Sequence, residues 1–229
     1  MLAKKYKSEI VSISNPFKGI YTLEFASLGS KFKYLPGQFL HIAIDTDYDG
    51  SSQWPESRCF SMQSNSADET IKVTYAVKGA FTTEMENTLK IGSEVWLKLP
   101  YGDLFQQTHA KKNTVFIAGG TGVTPYLSLF NHSSFQQYIS PKAYLGFRSR
   151  DFHIYQSELD VAQKLNPKLG LKLMFQDTDG ILNIESIFEE NGIASCYFIS
   201  GPPIMIKSFK QSLIAFGVPA VNVLTDDWE

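Results

Sequence analysis

The chain is written in two structural grammars, and the change between them constrains the fold more than any other feature. Up to Leu104, short β-branched or aromatic runs cover residues 7–14, 20–25, 39–44, 71–77 and 95–99. Turn signals such as Asn15-Pro16, Pro36-Gly37 and Tyr48-Asp49-Gly50 separate them. Several short strands at this spacing predict a small antiparallel β-barrel. One helical stretch, Thr82 to Leu89, interrupts them. From Asn113 onward, strands at 114–118, 143–147, 171–175, 196–200 and 221–224 alternate with helices at 126–130, 156–165, 184–190 and 203–216. The run Thr114 to Ala118 is apolar throughout, as in a strand buried on both faces. This alternation predicts an α/β, doubly wound parallel sheet. The boundary falls in the polar stretch Gln106 to Lys112. The expectation is a two-domain chain: a barrel over residues 1–107 and an α/β domain over residues 113–229.

Composition narrows the function classes. The chain has 229 residues, 43% of them hydrophobic, and a formal net charge of −2. Hydrophobic content of this order supports a real core. A near-neutral balance argues against a nucleic-acid binder, which needs a concentrated basic face. Two cysteines, Cys59 and Cys196, are too few for a disulfide framework, a four-thiolate zinc site or an iron–sulfur cluster. The four histidines, His41, His109, His132 and His153, show no metal-ligand spacing, so no metal is expected. The start, MLAKKYKSEI, lacks the apolar core of a secretory signal. No apolar run reaches the roughly 18 residues of a membrane span. These features predict a cytoplasmic protein with reduced thiols.

Two glycine-rich turns carry the strongest local chemistry. Gly119-Gly120-Thr121-Gly122-Val123-Thr124-Pro125 lies between a buried strand and a helix start. Glycines there permit a tight turn and close backbone approach to a ligand, and helix-start N–H groups attract an anion. The loop is neither a Walker A loop nor a G-x-G-x-x-G fingerprint. By itself it reads equally as a phosphate cradle or as a turn that needs small residues. Ser200-Gly201-Pro202-Pro203 follows another buried strand. It reads as a second ligand loop, or as a helix start with Ser200 as cap and proline in the first turn. Both turns lie at carboxyl ends of parallel strands, where open α/β sheets bind ligands.

In the barrel half, Arg58-Cys59-Phe60-Ser61 places a cation, an aromatic ring and a hydroxyl in one strand. Alternation sends Arg58 and Phe60 to one face, and Cys59 and Ser61 to the other. A guanidinium can hold a phosphate bidentately and an aromatic ring can cover a planar ligand. The tetrapeptide also reads as an edge arginine beside a core phenylalanine. Thr82 is expected to cap the one helix of that half, whose N-terminus can receive a pyrophosphate.

In this order the pieces resemble the ferredoxin–NADP reductase family, from about Ile10 to the C-terminus. Arg58-Cys59-Phe60-Ser61 is similar to the family's Arg-x-Tyr/Phe-Ser flavin motif, and Gly79-Ala80-Phe81-Thr82 to its Gly-x-x-Ser/Thr pyrophosphate turn. Pro36-Gly37-Gln38-Phe39 resembles its P-G-Q-[FY] strand entry, and Pro100-Tyr101-Gly102-Asp103-Leu104-Phe105 its G-P-x-G-x-F segment. The two glycine turns resemble its nicotinamide-nucleotide loop and its Cys-Gly-Pro-Pro. Pro125-Tyr126-Leu127-Ser128, Arg148 and a tryptophan near the C-terminus are similar to features of bacterial ferredoxin/flavodoxin reductases.

The resemblance implies an FAD-binding barrel followed by an NAD(P)-binding domain. Arg58 would pair with the FAD pyrophosphate, Phe60 would stack on the isoalloxazine and Ser61 would reach flavin N5. Cys59 lies within the motif. Tyr75, Ala76 and Val77 would run along the flavin, and Ala80, Phe81 and Thr82 would receive the pyrophosphate. The nicotinamide would land over Thr121 and Ser200, and Gly120, Thr121, Gly122, Pro125, Gly201 and Pro202 would bind the NAD(P) cofactor. Hydride would pass from nicotinamide C4 to flavin N5, which requires the two atoms about 3–3.5 Å apart. Ser61, Ser200 and Trp228 are the implied catalytic residues, Trp228 as an aromatic cover on the flavin, or else part of a frayed acidic tail.

The chain departs from the pattern in places. Phe60 lacks a tyrosine hydroxyl. Ser200 stands where the family has cysteine, which implies slower hydride transfer. Arg148 and Asp177 bear on the nucleotide: Arg148 resembles a phosphate-contacting arginine, whereas Asp177 would repel a 2′-phosphate and accept from a ribose 2′-hydroxyl, or else belongs to the polar turn Asp177-Thr178-Asp179-Gly180 and points to water. On Asp177 the reading leans toward NADH. The implied function is an FAD-dependent NAD(P)H oxidoreductase passing electrons to a separate acceptor: a ferredoxin, a flavodoxin, free flavin or an oxygenase component. The alternatives are a non-catalytic flavin-binding or regulatory module, and a dehydrogenase without flavin.

Overall fold

Six strands and one helix come from the first hundred residues of the computed structural model, which describes residues 2–226. They are β1 (Lys4–Phe17), β2 (Ile20–Ser27), β3 (Phe39–Ala43), β4 (Arg58–Ser61), β5 (Thr70–Ala76), α1 (Ala80–Thr88) and β6 (Glu94–Tyr101). The sheet order is β4-β3-β6-β1-β2-β5, all antiparallel. β4 and β5 stand at the two ends of that order. Beyond the end of β4, the Gln63 amide donates to the Lys72 carbonyl at 2.9 Å, so the sheet curls into a nearly closed barrel. Ile10, Phe25, Leu40, Ile42, Val73 and Leu97 fill its interior.

The Asn15-Pro16 pair does not end the first strand. β1 runs on to Phe17 because its register against β2 shifts between Ser14 and Phe17. A bulge there absorbs the proline, which has no N–H to give to a ladder. Asn15 Nδ2 donates to the Phe17 and Ile20 carbonyls, and Gly19, at φ +76°, completes the turn.

Residues 104–229 form a second compact unit, beginning at Leu104. Its strands are β7 (Thr114–Gly119), β8 (Lys142–Phe147), β9 (Gly170–Phe175), β10 (Cys196–Ser200) and β11 (Val223–Thr225). Its helices are α2 (Thr124–Phe130), α3 (Gln156–Leu165), α4 (Ile184–Asn191) and α5 (Pro203–Ala215). All strand pairs are parallel, in the order β11-β10-β7-β8-β9. Alternation along β7 explains the two-sided burial. Phe116 and Ala118 join the core that contains residues of α2 and α3, while Val115 and Ile117 join the one containing residues of α4 and α5. The last strand starts two residues later than the sequence suggests, because a 3-10 turn takes up Ala220–Asn222. Among the described residues no helix is long and apolar enough to cross a membrane.

A charge cluster sits on the α/β unit. Glu190 of α4 accepts from Lys172 at 2.5 Å and from Lys142 at 3.2 Å. Lys172 foremost, together with Tyr144 and Lys142, pulls the Glu190 carboxyl down from 4.5 to about 2. A depressed acid stabilises the folded state above its unfolded value and loses that contribution as pH falls through the folded one. The groups are substantially exposed, so Glu190→Gln should cost only about 0.5–1 kcal/mol at neutral pH. In urea titrations the difference between the two proteins should shrink as pH falls from 4.5 toward 2.

Candidate functional site

On the α/β unit the two glycine turns meet. β7 and β10 are neighbours, but the chain builds outward from β7 through β8 and β9 before crossing back to β10. This is the topological switch point, where a crevice opens outside the carboxyl ends of the strands. The turns touch backbone to backbone. A Cβ on Gly122 would lie 2.5 Å from Gly201 Cα and 2.8 Å from the Ser200 carbonyl carbon. A Cβ on Gly201 would lie 3.0 Å from the Gly119 nitrogen, and Gly201 adopts φ +142°, open only to glycine. Met205 of α5 lies against both Gly119 and Gly201. Sequence reasoning passed over Met205; its place just after the double proline was the available signal.

Gly120 (φ +56°) and Thr121 begin a 3-10 turn, Gly120–Val123, that continues directly into α2 with Pro125 in its first turn. The helical course therefore starts earlier than the expected Tyr126. No side chain caps its start. Space above Gly120 is open, with nothing within 4 Å of a built Cβ. These residues fit a dinucleotide phosphate: exposed helix-start amides, no side chain in the way and a second glycine turn alongside.

Ser200 is not a helix cap. Pro202 occupies the cap of α5 with an extended backbone, Pro203 starts the helix, and Ser200 is the last residue of β10. The Ser200 hydroxyl, 2% exposed, donates to Asp226 Oδ2 at 3.2 Å, and the Asp226 amide donates to the Ile199 carbonyl at 3.1 Å. Trp228 lies outside the described residues. Arg148 and Asp177 are exposed after β8 and β9, joined through the Asp177 amide and the Arg148 carbonyl at 3.2 Å. The Arg150 guanidinium lies over the Phe175 ring at 4.8 Å.

On the barrel, β4, β5 and α1 gather the other candidates. β4 and β5 form no ladder with each other, so their facing edges are open along Phe60 and Tyr75. Those two rings meet edge-on, centroids 5.9 Å apart. The Arg58 guanidinium lies 5.1 Å over the Phe81 ring and pairs with Glu56 at 2.8 Å. Both partners of that ion pair are largely exposed, and such pairs exchange readily for a better anion. Ser61 is buried beside Phe60, and Ala76 and Val77 continue the β5 edge. Cys59 occupies the other face beside His41, its Sγ 3.5 Å from Nε2, and burial pushes its thiol above the ordinary value.

Thr82 is not the cap of α1 either. Gly79 is the cap residue, and Thr82 Oγ1 reaches back to accept from the Lys78 amide at 2.9 Å and the Gly79 amide at 3.1 Å. This ties down the turn, and Arg58 reaches the start of α1 through the ring of Phe81 in its first turn. An anionic, planar, dinucleotide-sized cofactor fits this set: a cation and helix-start amides for its phosphates, an open strand edge and a ring for its aromatic part. Among the described residues no group of three or more metal-ligating side chains converges.

Comparison with known proteins agrees with both halves. Residues 116–211 match the oxidoreductase NAD-binding domain family. The chain is 30% identical over 150 residues to methane monooxygenase component C of Methylosinus trichosporium, covering 64% of this chain and 42% of that protein. It is 26% identical over 216 residues to the propane 2-monooxygenase reductase component of Mycolicibacterium smegmatis, covering 86% and 60%. The chain thus spans less than two thirds of the length of these curated relatives. A ferredoxin NADP+ reductase from Neisseria gonorrhoeae, solved with FAD and NADP, superposes with a TM-score of 0.78 at 14% identity, covering 99% of this chain and 98% of that one. The ferredoxin reductase of carbazole 1,9a-dioxygenase gives 0.78 at 19% identity, covering 100% and 70%. Residues 116–211 are therefore similar to the oxidoreductase NAD-binding domain family, and the chain shares its fold with these two solved reductases.

Proposed function

We propose that this chain is an FAD-dependent NAD(P)H reductase that passes electrons to a separate acceptor. Residues 1–107 act as the FAD-binding domain and residues 113–229 as the NAD(P)-binding domain. The observation that carries the reading is the backbone contact of Gly122 with Ser200 and Gly201 at the switch point, beside the open space above Gly120. Bound flavin supplies hydride acceptance from nicotinamide C4 at N5 and one-electron release to the acceptor.

The chain's own residues bind and orient. Arg58 exchanges Glu56 for a cofactor phosphate, and the Ala80, Phe81 and Thr82 amides share that charge. Phe60 covers the aromatic system, Ser61 offers its hydroxyl toward N5, and the β5 edge from Tyr75 to Val77 lies along the ring. Cys59 completes the strand from the opposite face. Gly120, Thr121 and Gly122, with Pro125 ordering the turn, hold the nicotinamide dinucleotide phosphates. Gly201 and Pro202 form the opposite wall. Ser200 orients the nicotinamide end, with its hydroxyl set by Asp226. Trp228 is proposed as the cover over the flavin.

NADH is the favoured donor. The exposed Asp177 carboxylate meets an unmodified ribose well and a 2′-phosphate badly, and Arg150 is engaged with Phe175. Arg148 contacts the dinucleotide without reversing that choice. The acceptor is an oxygenase component, supported by two relatives named from monooxygenase systems. Anaerobic titration with NADH and NADPH, followed by visible absorbance and then by candidate acceptors, tests the reading. A yellow protein bleached faster by NADH is expected. Strong NADPH preference overturns the nucleotide choice, and failure to retain FAD after desalting overturns the function. Reoxidation only by ferredoxin, flavodoxin or free flavin reassigns the acceptor.

A further inference from the structure

A file of rings on the barrel runs from the open β4–β5 edge to a part-exposed carboxylate. Phe60 meets Tyr75 edge-on at 5.9 Å. Tyr75 stands directly across the ladder from Tyr21, and their rings stack at 5.6 Å with planes 19° apart. The Tyr21 hydroxyl donates to Glu86 Oε1 of α1 at 3.0 Å. Phe60 and Tyr75 are buried, while Tyr21 and Glu86 are half-buried. Four elements, β4, β5, β2 and α1, thus bring an aromatic stack and a base together.

A phenol beside a carboxylate is suited to one particular chemistry. An oxidised phenol is a strong acid, so an electron vacancy shared among rings comes to rest on the phenol whose proton can leave at the same time. Tyr21 has such an acceptor in Glu86. Glu86 also pushes the Tyr21 phenol above its ordinary value, so at neutral pH the proton rests on Tyr21 and points at the carboxylate. Phe60 has no phenol. The first ring behind it that can yield an electron is therefore Tyr75, and the first that can yield both electron and proton to a neighbouring carboxylate is Tyr21.

We infer that Tyr75, Tyr21 and Glu86 form a relay that drains a photoexcited oxidised flavin seated against Phe60. The inference rests on the flavin-binding reading above. The oxidant is the excited flavin. One electron leaves Tyr75 past Phe60 and reduces the flavin by one electron. One electron from Tyr21 then refills Tyr75, and the Tyr21 phenolic proton passes to Glu86. The result is a flavin carrying one extra electron, a neutral tyrosyl radical at Tyr21 and a protonated Glu86. Return of the electron and the proton restores the starting state, so excitation is spent without consuming the cofactor.

The FAD-loaded full chain provides the test, with flavin content fixed by visible absorbance and emission lifetime and transient absorption as readouts. Wild type should show short-lived emission and a tyrosyl band. Tyr75→Phe should lengthen the emission several-fold. Tyr21→Phe should keep the short emission but lose the tyrosyl band. Glu86→Gln retains an acceptor for the hydrogen bond but not a base, so it should lose the tyrosyl band at unchanged flavin content. A merely structural role for Glu86 would move flavin content instead and leave the band in place, which overturns the relay. Equal lifetimes in wild type and Tyr75→Phe, with FAD bound, also overturn it and leave the reductase reading standing. A wild-type chain that retains no FAD overturns both.

Discussion

Gly122→Ala is expected to slow reduction of bound flavin by NADH roughly 100-fold, the order of loss that an ångström of misplacement produces. FAD content should be unchanged, because Gly122 belongs to the α/β unit and the residues proposed to hold FAD to the barrel unit. The cause is local and steric. An added methyl would sit 2.5 Å from Gly201 Cα and 2.6 Å from the Gly201 nitrogen. Backbone cannot rotate aside as a side chain can, so the two turns must separate. That displaces the Gly120 and Thr121 amides on one wall and Ser200 on the other. Overpacking of this kind costs about 1–3 kcal/mol of stability as well. Stopped-flow reduction read by flavin absorbance checks the rate. Gly29→Ala is the control, since space around Gly29 is open and its φ is ordinary. A Gly122→Ala rate within a few-fold of wild type would show that the contact of the two turns does not shape the nucleotide site.

Phe116→Ala is expected to destabilise the α/β unit by about 3–5 kcal/mol, the range for truncating a fully buried aromatic ring. Phe116 has no exposed surface. Its ring stacks on Phe198 of the neighbouring strand at 5.3 Å and meets Phe130 edge-on at 5.1 Å. Tyr126, Phe105, Phe135 and Tyr138 complete the shell. So many rings cannot collapse together into the void, which places the cost near the upper end. Urea unfolding should show an earlier transition for this unit, whereas Ile181→Ala, at a 72% exposed position, should stay within about 0.5 kcal/mol of wild type. Equal midpoints for Phe116→Ala and wild type would contradict the reading that this buried ring holds its aromatic neighbours together.

The alternation of strands and helices after Asn113 was legible because each element carries its own period. β10 reads as an apolar run up to Ser200, and α3 carries an amphipathic pattern over the same residues, Gln156–Leu165, that the structure assigns. The barrel was legible for the same reason, apart from the length of β1, where a bulge made room for a proline that normally ends a strand. Helix starts were less legible. Thr82 and Ser200 have the right residue type for a cap, yet neither caps. Thr82 lies three residues inside α1 and ties the turn from within. Ser200 is held in β10 because the two prolines after it delay the helix, and its hydroxyl turns to Asp226 instead.

The sequence by itself determined which segments are strands, where the small residues stand and what chemistry each motif offers. Each of those properties depends on neighbours within a few positions along the chain. Only the tertiary structure decided which motifs meet. Gly122 touches Gly201, Ser200 finds Asp226 and Tyr21 stacks on Tyr75 because strand order and register place them side by side. Strand order is a property of the whole unit: each strand settles where it buries its faces best against all the others, and that balance is not written in any local stretch of residues.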